Sequence, residues 1–174
     1  MDPRVRELYA GRHLRLVVRN GWEFVERPGI RGIVLVVAVT PGDRLLLVEQ
    51  RREPVDANVL ELPAGLAGDA ESPADEPLEE AARRELVEET GWDAKTMERL
   101  TSGPPSAGVT SEVVTFFRAR GLSRVGAGGG VAGEAITVHE IPLATAEEFL
   151  REREAGGALV DPKVWAGLWF ALRP

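Results

Sequence analysis

The chain has 174 residues, and 28 acidic against 21 basic side chains give it a net charge of −7. This length and an apolar fraction of 44% are typical of one globular domain, and they exclude a disordered chain. The lack of cysteine excludes disulfides and thiolate sites and favours a cytoplasmic protein, while the acidic balance and the lack of a long apolar run argue against nucleic-acid and membrane partners.

The first half of the chain predicts several short strands followed by one clear helix. Asn20-Gly21 is a turn signal typical of a type I′ hairpin. We expect strands at 12–19, 22–26, 33–39, 44–49 and 59–62, then a loop at 65–77. We expect the helix at 78–90, with Gly91 at its end. Its N-terminal signals are Ser72 or Asp75 as the cap and Pro77 in the first turn.

The second half predicts three more strands and two helices. The strands are expected at 96–101, 113–119 and 135–141, and the helices at 145–154 and 162–172. Loops are expected at 102–111 and at 124–133, the latter glycine-rich and mobile. This order predicts an α+β domain over residues 30–174, preceded by an N-terminal strand extension over residues 1–29.

Three glutamates crowd the end of the predicted helix. Glu85, Glu88 and Glu89 face the negative end of the helix dipole, and their i, i+3 and i, i+4 spacing places them close enough to repel one another. A cation between them would reverse this penalty, and oxygen ligands favour Mg²⁺, which Mn²⁺ can replace. The alternative is a solvated acidic face.

The net charge is concentrated around this helix. Residues 61–89 contain ten acidic and two basic side chains, so the rest of the chain is close to neutral. Residues 3–31 carry seven arginines against three glutamates, which is a suitable positive rim for a phosphorylated ligand.

The helix and the residues before it resemble the Nudix box, G-x₅-E-x₇-R-E-U-x-E-E-x-G-U, where U is apolar. Residues 84–92 match its second half without a mismatch, and Gly65 and Glu71 match its start. Twelve residues separate Glu71 from Arg84 where the box has seven, which indicates a five-residue insertion. Glu76 has the correct spacing to Arg84, but Ala70 then replaces the glycine. Both glutamates therefore stay open as the first glutamate of the box.

Further segments resemble the ADP-ribose pyrophosphatase-like branch of this family. They are W-E-F-V-E-R at 22–27, Q-R-R at 50–52, L-E-L-P-A-G at 60–65, G-E at 133–134 and D-P-K-V at 161–164. Residues 106–112 resemble the S-P-G-x-T-x-E loop of that branch, with Ala107 in place of the proline. The resemblance implies a Nudix fold, an α/β/α sandwich with a mixed sheet and an N-terminal β-strand extension.

The resemblance also implies roles for individual residues. It implies metal ligation by the Ala64 carbonyl and by Glu85, Glu88, Glu89 and Glu134, the last as a further ligand or base. Arg84 would hold a box carboxylate, and Arg52 would clamp a phosphate. Trp22 would stack on adenine, with Glu61 and Glu112 also lining the substrate site. The alternative for each side chain is a structural or solvent-exposed role.

The function implied is Mg²⁺-dependent hydrolysis of ADP-ribose or a related nucleoside diphosphate sugar to a nucleoside monophosphate and a sugar phosphate. Because Ala107 replaces the proline, a GDP-mannose, other nucleotide-sugar or dinucleotide pyrophosphatase remains an alternative. A catalytically silent nucleotide-sensing module is another. The resemblance further implies a homodimer with exchanged N-terminal strands.

Overall fold

The computed structural model describes residues 4–68, 75–131 and 133–173, and these form an α+β fold. The strands are β1 Val5–Ala10, β2 Arg15–Arg19, β3 Trp22–Glu26, β4 Gly32–Ala38, β5 Arg44–Arg52, β6 Ala57–Glu61, β7 Ala64–Ala67, β8 Trp92–Asp93, β9 Thr96–Gly103, β10 Val114–Arg120, β11 Ser123–Arg124, β12 Thr137–Pro142 and β13 Leu159–Val160. The α-helices are α1 Leu78–Thr90, α2 Ala146–Ala155 and α3 Pro162–Ala171. Short 3₁₀ turns occupy Glu53–Val55 and Leu143–Thr145. None of the helices in these ranges is long and apolar enough to cross a membrane.

Two mixed four-stranded sheets form the centre of the molecule. The first has the order β7-β4-β10-β9, with β4 and β10 parallel and the other neighbours antiparallel. The second has the order β12-β5-β6-β13, with β6 and β13 parallel. A bridge between Val39 and Leu45 links the two sheets where β4 turns into β5.

The apolar run in β4 is buried on both faces, which explains why its sequence does not alternate. Val34 and Val36 pack with α1 in one cluster, while Leu35 and Val37 pack with α2 and α3 in the other. The helices therefore cover opposite faces of the sheets. This arrangement is the α/β/α sandwich with a mixed sheet that the resemblance implies.

The N-terminal extension forms its own antiparallel sheet, β1-β2-β3. Asn20 and Gly21 both have positive φ, at 52° and 81°, as a type I′ turn requires. The sheet is joined to the rest of the chain at Val25, which pairs with the loop before β10 through a bridge to Thr110. β1 leaves most of its side chains exposed, including Tyr9.

Several local features differ from the expectations, including the unexpected short strands β8 and β13. Val5–Ala10 is a strand that was not expected, and Ala64–Ala67 is a strand inside the expected loop at 65–77, because it pairs with β4. The N-cap position of α1 is Pro77 with no side-chain cap, so Asp75 does not cap it; Ser72 lies outside the described residues. In the segment expected to be a loop at 124–133, only Arg124 belongs to a strand, β11, and the backbone N–H groups of Gly129 and Gly130 donate to carbonyls at the end of α1.

Candidate active site

Arg84 organises the acidic end of α1. Its Nε and Nη2 donate to the two carboxylate oxygens of Glu76 at 3.0 and 3.2 Å, and Glu76 is 7% exposed. This is the bidentate geometry of the strongest arginine–carboxylate pairs. Glu76, with the seven-residue spacing, is therefore the glutamate that Arg84 contacts, and Glu71 lies outside the described residues.

The remaining donors of Arg84 reach the helix and the neighbouring strand. Nη1 donates to Glu85 Oε1 at 2.8 Å and to Glu88 Oε2 at 3.1 Å, and Nη2 donates to the Leu66 carbonyl at 3.0 Å. The hydrogen bond to Glu76 is the largest cause that raises the Arg84 pKa, with the charge of Glu85 adding to it. Arg84 thus neutralises carboxylates that would otherwise repel one another.

Arg31 anchors the chain segment that supplies Glu76. Its Nη1 donates to the carbonyls of Asp75 and Glu76 at 2.5 and 3.3 Å. Arg31 precedes β4, so this contact ties the residues before α1 to the central sheet. Nothing in the sequence pattern identified this arginine.

Gly65 allows the Glu85 carboxylate to touch the backbone of β7. A Cβ built on Gly65 would lie 1.9 Å from the Glu85 carboxylate carbon. Any side chain here would displace a buried carboxylate, so glycine is required by close approach. Gly65 is therefore the glycine that lies against the carboxylates of α1, although its spacing to Glu76 is five residues longer than in the Nudix box.

Glu89 is a buried carboxylate whose pKa is strongly raised. Its Oε2 accepts a hydrogen bond from the Ala64 backbone N–H at 2.9 Å, and the residue is 5% exposed. The pKa of Glu89 is raised from its ordinary value of 4.5 to about 8, mainly by burial. The charges of Glu85, Glu134 and Glu61 also raise this pKa, and the hydrogen bond from Ala64 lowers it. Several negative charges thus meet at one poorly solvated place, which is typical of a site for a cation.

One cavity of about 380 Å³ collects most of the expected site residues. It is lined by Arg27, Ile33, Gln50, Arg52, Ala64, Gly65, Leu66, Glu85, Glu89, Glu112 and Glu134. Glu88 points to Arg84 instead. Arg27 and Gln50 are lining residues to which sequence reasoning assigned no role, although both lie in segments that it quoted.

Two arginine–glutamate pairs stand beside the carboxylates of this cavity. Arg52 Nε donates to Glu61 Oε2 at 2.9 Å, and Arg27 Nε donates to Glu112 Oε1 at 3.2 Å. Both arginines stay partly exposed, at 43% and 32% of their side chains. Glu61 also lines an adjoining cavity of about 190 Å³. The cavity therefore places guanidinium groups, which can bind phosphate oxygens, next to carboxylates, which can bind a metal ion.

Trp22 lies at a separate, open cavity of about 400 Å³. This cavity is lined by Arg19, Trp22, Phe24, Ala107, Thr110 and Ser111. Trp22 is 64% exposed, and its indole Nε1 donates to the Gly108 carbonyl at 3.2 Å. Because the hydrogen bond holds the ring beside the 106–112 loop and leaves it exposed, a planar ligand could stack on it.

The donor chemistry fits a divalent cation, although the carboxylates have other partners as they stand. Within the described ranges, no three acidic or histidine side chains surround one point closely enough to hold a metal ion. Glu85 and Glu88 accept from Arg84, and Glu89 accepts from Ala64. A cation would take their oxygens in exchange for these contacts, and hard oxygen donors of this kind suit Mg²⁺ or Mn²⁺.

His139 has a different environment from the cavity. Its Nε2 is 2.9 Å from Glu49 Oε2, which also accepts from Arg153 Nη2 at 2.9 Å. Phe149 lies beside the imidazole, with ring centroids 6.3 Å apart. The three polar groups join β12, β5 and α2, so this cluster holds the second sheet to its helix.

Comparison with known proteins identifies the same fold and family pattern. The NUDIX domain model matches residues 29–155. A methanol dehydrogenase activator from Bacillus methanolicus is 31% identical over 160 residues, covering 86% of this chain and 82% of the relative. An ADP-ribose pyrophosphatase from Bacillus subtilis (strain 168) is 39% identical over 101 residues, 58% of this chain and 50% of the relative.

Two further matches extend the comparison. A GDP-mannose pyrophosphatase from Yersinia enterocolitica serotype O:8 / biotype 1B is 32% identical over 148 residues, covering 80% of this chain and 72% of the relative. A crystal structure of an ADP compounds hydrolase aligns with a TM-score of 0.72 at 21% identity, covering 97% of this chain and 89% of that chain. That likeness supports the fold.

Proposed function

This chain belongs to the Nudix hydrolase family, and from that membership we propose that it is a Mg²⁺-dependent pyrophosphatase of nucleoside diphosphate sugars. Mn²⁺ would replace Mg²⁺. The products would be a nucleoside monophosphate and a sugar phosphate. The observation that carries this proposal is the single cavity in which Arg27 and Arg52 lie beside the carboxylates of Glu85, Glu89 and Glu134.

Different residues of the cavity would have different roles in the cleavage of a pyrophosphate. The Ala64 carbonyl and the carboxylates of Glu85, Glu88 and Glu89 would hold the metal ions, and Glu134, the further ligand or base, is taken here as the base. When bound, divalent cations neutralise phosphate oxygens and lower the pKa of a water molecule.

The neighbouring arginines would orient the substrate. Arg52 would bind a phosphate oxygen of the diphosphate, and Arg27 is placed to do the same. Glu134 would accept the proton from the attacking water. Glu61 would hold Arg52 in place, and Glu112 would hold Arg27. Arg84 would act one step away, by positioning Glu85 and Glu88.

Trp22 would bind the base of the nucleotide. Its exposed indole is held beside Ala107, and base–aromatic stacking contributes roughly 1–3 kcal/mol per base. Stacking tolerates different bases, and Ala107 leaves the loop without the proline typical of ADP-ribose enzymes. A preference for GDP-mannose is therefore the second candidate. The relatives support this candidate, because they include both an ADP-ribose pyrophosphatase and a GDP-mannose pyrophosphatase.

We include a homodimer in the proposal. Among the described residues β1 is an edge strand of the N-terminal sheet, and Leu8 and Tyr9 of β1 and Leu14 of the turn after it are exposed. Such edges and apolar groups are typical of interfaces. Exchange of the N-terminal strands, residues 1–29, would allow Trp22 to serve the site of the partner chain.

A substrate panel tests the proposal. ADP-ribose, GDP-mannose, a dinucleotide and a deoxynucleoside triphosphate are assayed side by side with Mg²⁺, with Mn²⁺ and with chelator. We expect metal-dependent release of nucleoside monophosphate and sugar phosphate from the diphosphate sugars. Equal turnover of all four compounds, or turnover in chelator, would contradict it, and binding without turnover would favour a silent sensing module.

A further inference from the structure

The glycine-rich segment before β12 is bonded to the same turn of α1 that carries two of the acidic residues. The backbone N–H of Gly129 donates to the Glu89 carbonyl at 2.8 Å, and that of Gly130 donates to the Glu88 carbonyl at 3.0 Å. The last carbonyls of a helix lack partners within the helix, so these two donors satisfy groups that need them. The segment and the helix end are therefore joined through the backbone.

This close approach requires glycine at Gly128. Its φ is +73°, and a Cβ there would lie 2.4 Å from the Thr90 carbonyl carbon and 2.7 Å from the Glu89 carbonyl oxygen. Those neighbours are helix backbone, which cannot move aside as a side-chain tip can. An alanine at this position would push the segment away from α1.

Gly130 lies close to the side chain of Glu134. Its φ is +85°, and a Cβ there would lie 2.5 Å from Glu134 Oε2 and 2.9 Å from the Glu134 Cβ. The same Glu134 oxygen accepts from the Val131 N–H at 3.1 Å, and the Glu134 N–H donates to the Val131 carbonyl at 3.0 Å. The Glu134 carboxylate is thus folded against the segment that α1 holds.

We propose that residues 128–130, here called the glycine bridge, position the Glu134 carboxylate relative to Glu88 and Glu89. The bridge acts through backbone hydrogen bonds and through the absence of side chains, so the base and the metal ligands keep one geometry. A misplacement of about 1 Å at such a site costs on the order of 100-fold in rate. The inference rests on the proposed function, because it takes Glu134 as the base.

A double-mutant cycle between Gly128→Ala and Glu134→Gln tests the bridge. We expect Gly128→Ala to lower kcat at least tenfold, with KM and the Mg²⁺ dissociation constant changed less than threefold. In the Glu134→Gln background the same substitution should produce no further fall in kcat, because the group that it displaces is already lost. A purely structural defect would lower kcat by the same factor in both backgrounds.

Gly126→Ala is the matched control in the same segment. Gly126 does not have a positive φ, and its Cβ would meet only the Gly91 Cα, at 3.9 Å. We expect wild-type kcat for this variant. A fall equal to that of Gly128→Ala would overturn the bridge, since any alanine in the segment would then have the same effect.

Amide hydrogen exchange on the wild-type chain gives a test that does not depend on the folding of a variant. We expect protected amides at Gly129 and Gly130, because both donate to carbonyls of α1. Exchange at the rate of an open chain would overturn the bridge. Wild-type kcat in Glu134→Gln would instead overturn its role as base, and no turnover of any diphosphate sugar would overturn the proposed function.

Discussion

Arg84 and Glu76 illustrate how a single ion pair prepares an acidic site. Arg84 lies among three carboxylates, and its bidentate partner is the almost fully buried Glu76. Removing one partner of a buried pair leaves an uncompensated charge, which is costly. Without Glu76, Arg84 would keep only its contacts with Glu85 and Glu88 and the Leu66 carbonyl, and would compete more strongly with a cation for the oxygens of these two glutamates.

Glu76→Gln is therefore expected to lower kcat/KM by about 10- to 100-fold, the usual cost of losing a partner one step from a metal ligand. Steady-state assays with increasing Mg²⁺ measure this, and the Mg²⁺ requirement should rise. Glu71→Gln is the matched control, because the spacing to Arg84 does not favour it. The reverse order of effects would assign the box role to Glu71.

Glu89 predicts a dependence of stability on pH in the metal-free chain. Its pKa is about 8 in the folded chain against an ordinary value of 4.5, so the folded chain binds more protons than the unfolded chain between these values. The free energy of unfolding must then fall as the pH rises from about 4.5 through about 8. Below pH 4.5 this stabilising contribution is fully present.

Thermal unfolding in chelator between pH 5 and pH 8.5 measures this effect. We expect the Tm to fall by several degrees across the range, and Glu89→Gln to flatten the fall because glutamine does not titrate. Glu79→Gln, an exposed substitution in the first turn of the same helix, should leave the slope unchanged. A slope of equal size in Glu89→Gln would contradict the assignment.

Among the helices and strands, those with clear signals in the local sequence could be predicted and those without them could not. α1 could be predicted to the residue because its polar and apolar positions repeat and Gly91 ends it in a left-handed conformation, with φ of 72°. β7 could not be predicted, because two glycines within five residues read as a loop while pairing with β4 makes it a strand. β1 was missed because its side chains are mostly exposed and show no alternation.

The packing of α3 against the residue after β6 gives a prediction for one helix. A Cβ on Gly167 would lie 2.7 Å from the Leu62 side chain, which is 1% exposed. Overpacking costs about 1–3 kcal/mol, while alanine gains about 1 kcal/mol in helix propensity. We expect Gly167→Ala to lower the free energy of unfolding in urea by about 1 kcal/mol.

Ala166→Gly is the control for Gly167→Ala, since Ala166 is exposed in the same turn. The free energy of unfolding of this variant should fall by about 1 kcal/mol through the lower helix propensity of glycine alone. A Gly167→Ala variant more stable than the wild type would indicate that Leu62 moves aside without cost.

At the scale of the whole molecule, the acidic residues and arginines meet at one cavity. Part of the site could be predicted, because the acids of α1 follow a recognisable spacing. The partner of Arg84 could not, because the insertion leaves Glu71 and Glu76 equivalent on sequence. The role of the glycine bridge could not be predicted from the sequence either, because the spacing of three glycines in a loop does not indicate backbone hydrogen bonds to a distant helix.

The exposed N-terminal sheet predicts assembly in solution. We expect sedimentation analysis to give twice the chain mass of 18.9 kDa. Tyr9 is 69% exposed on the edge strand, so Tyr9→Lys should shift the equilibrium toward the monomer, whereas Tyr9→Phe should not. A wild-type monomer at assay concentrations would contradict the shared-site arrangement.

The most direct measurement is turnover of ADP-ribose and GDP-mannose by the Glu88→Gln/Glu89→Gln double variant in Mg²⁺. If Glu88 and Glu89 are cation ligands as proposed, their loss removes several kcal/mol of transition-state stabilisation, so we expect kcat to fall on the order of 1,000-fold. The far-UV circular dichroism spectrum should stay that of the wild type. Unchanged turnover in a folded double variant would contradict the carboxylate metal site.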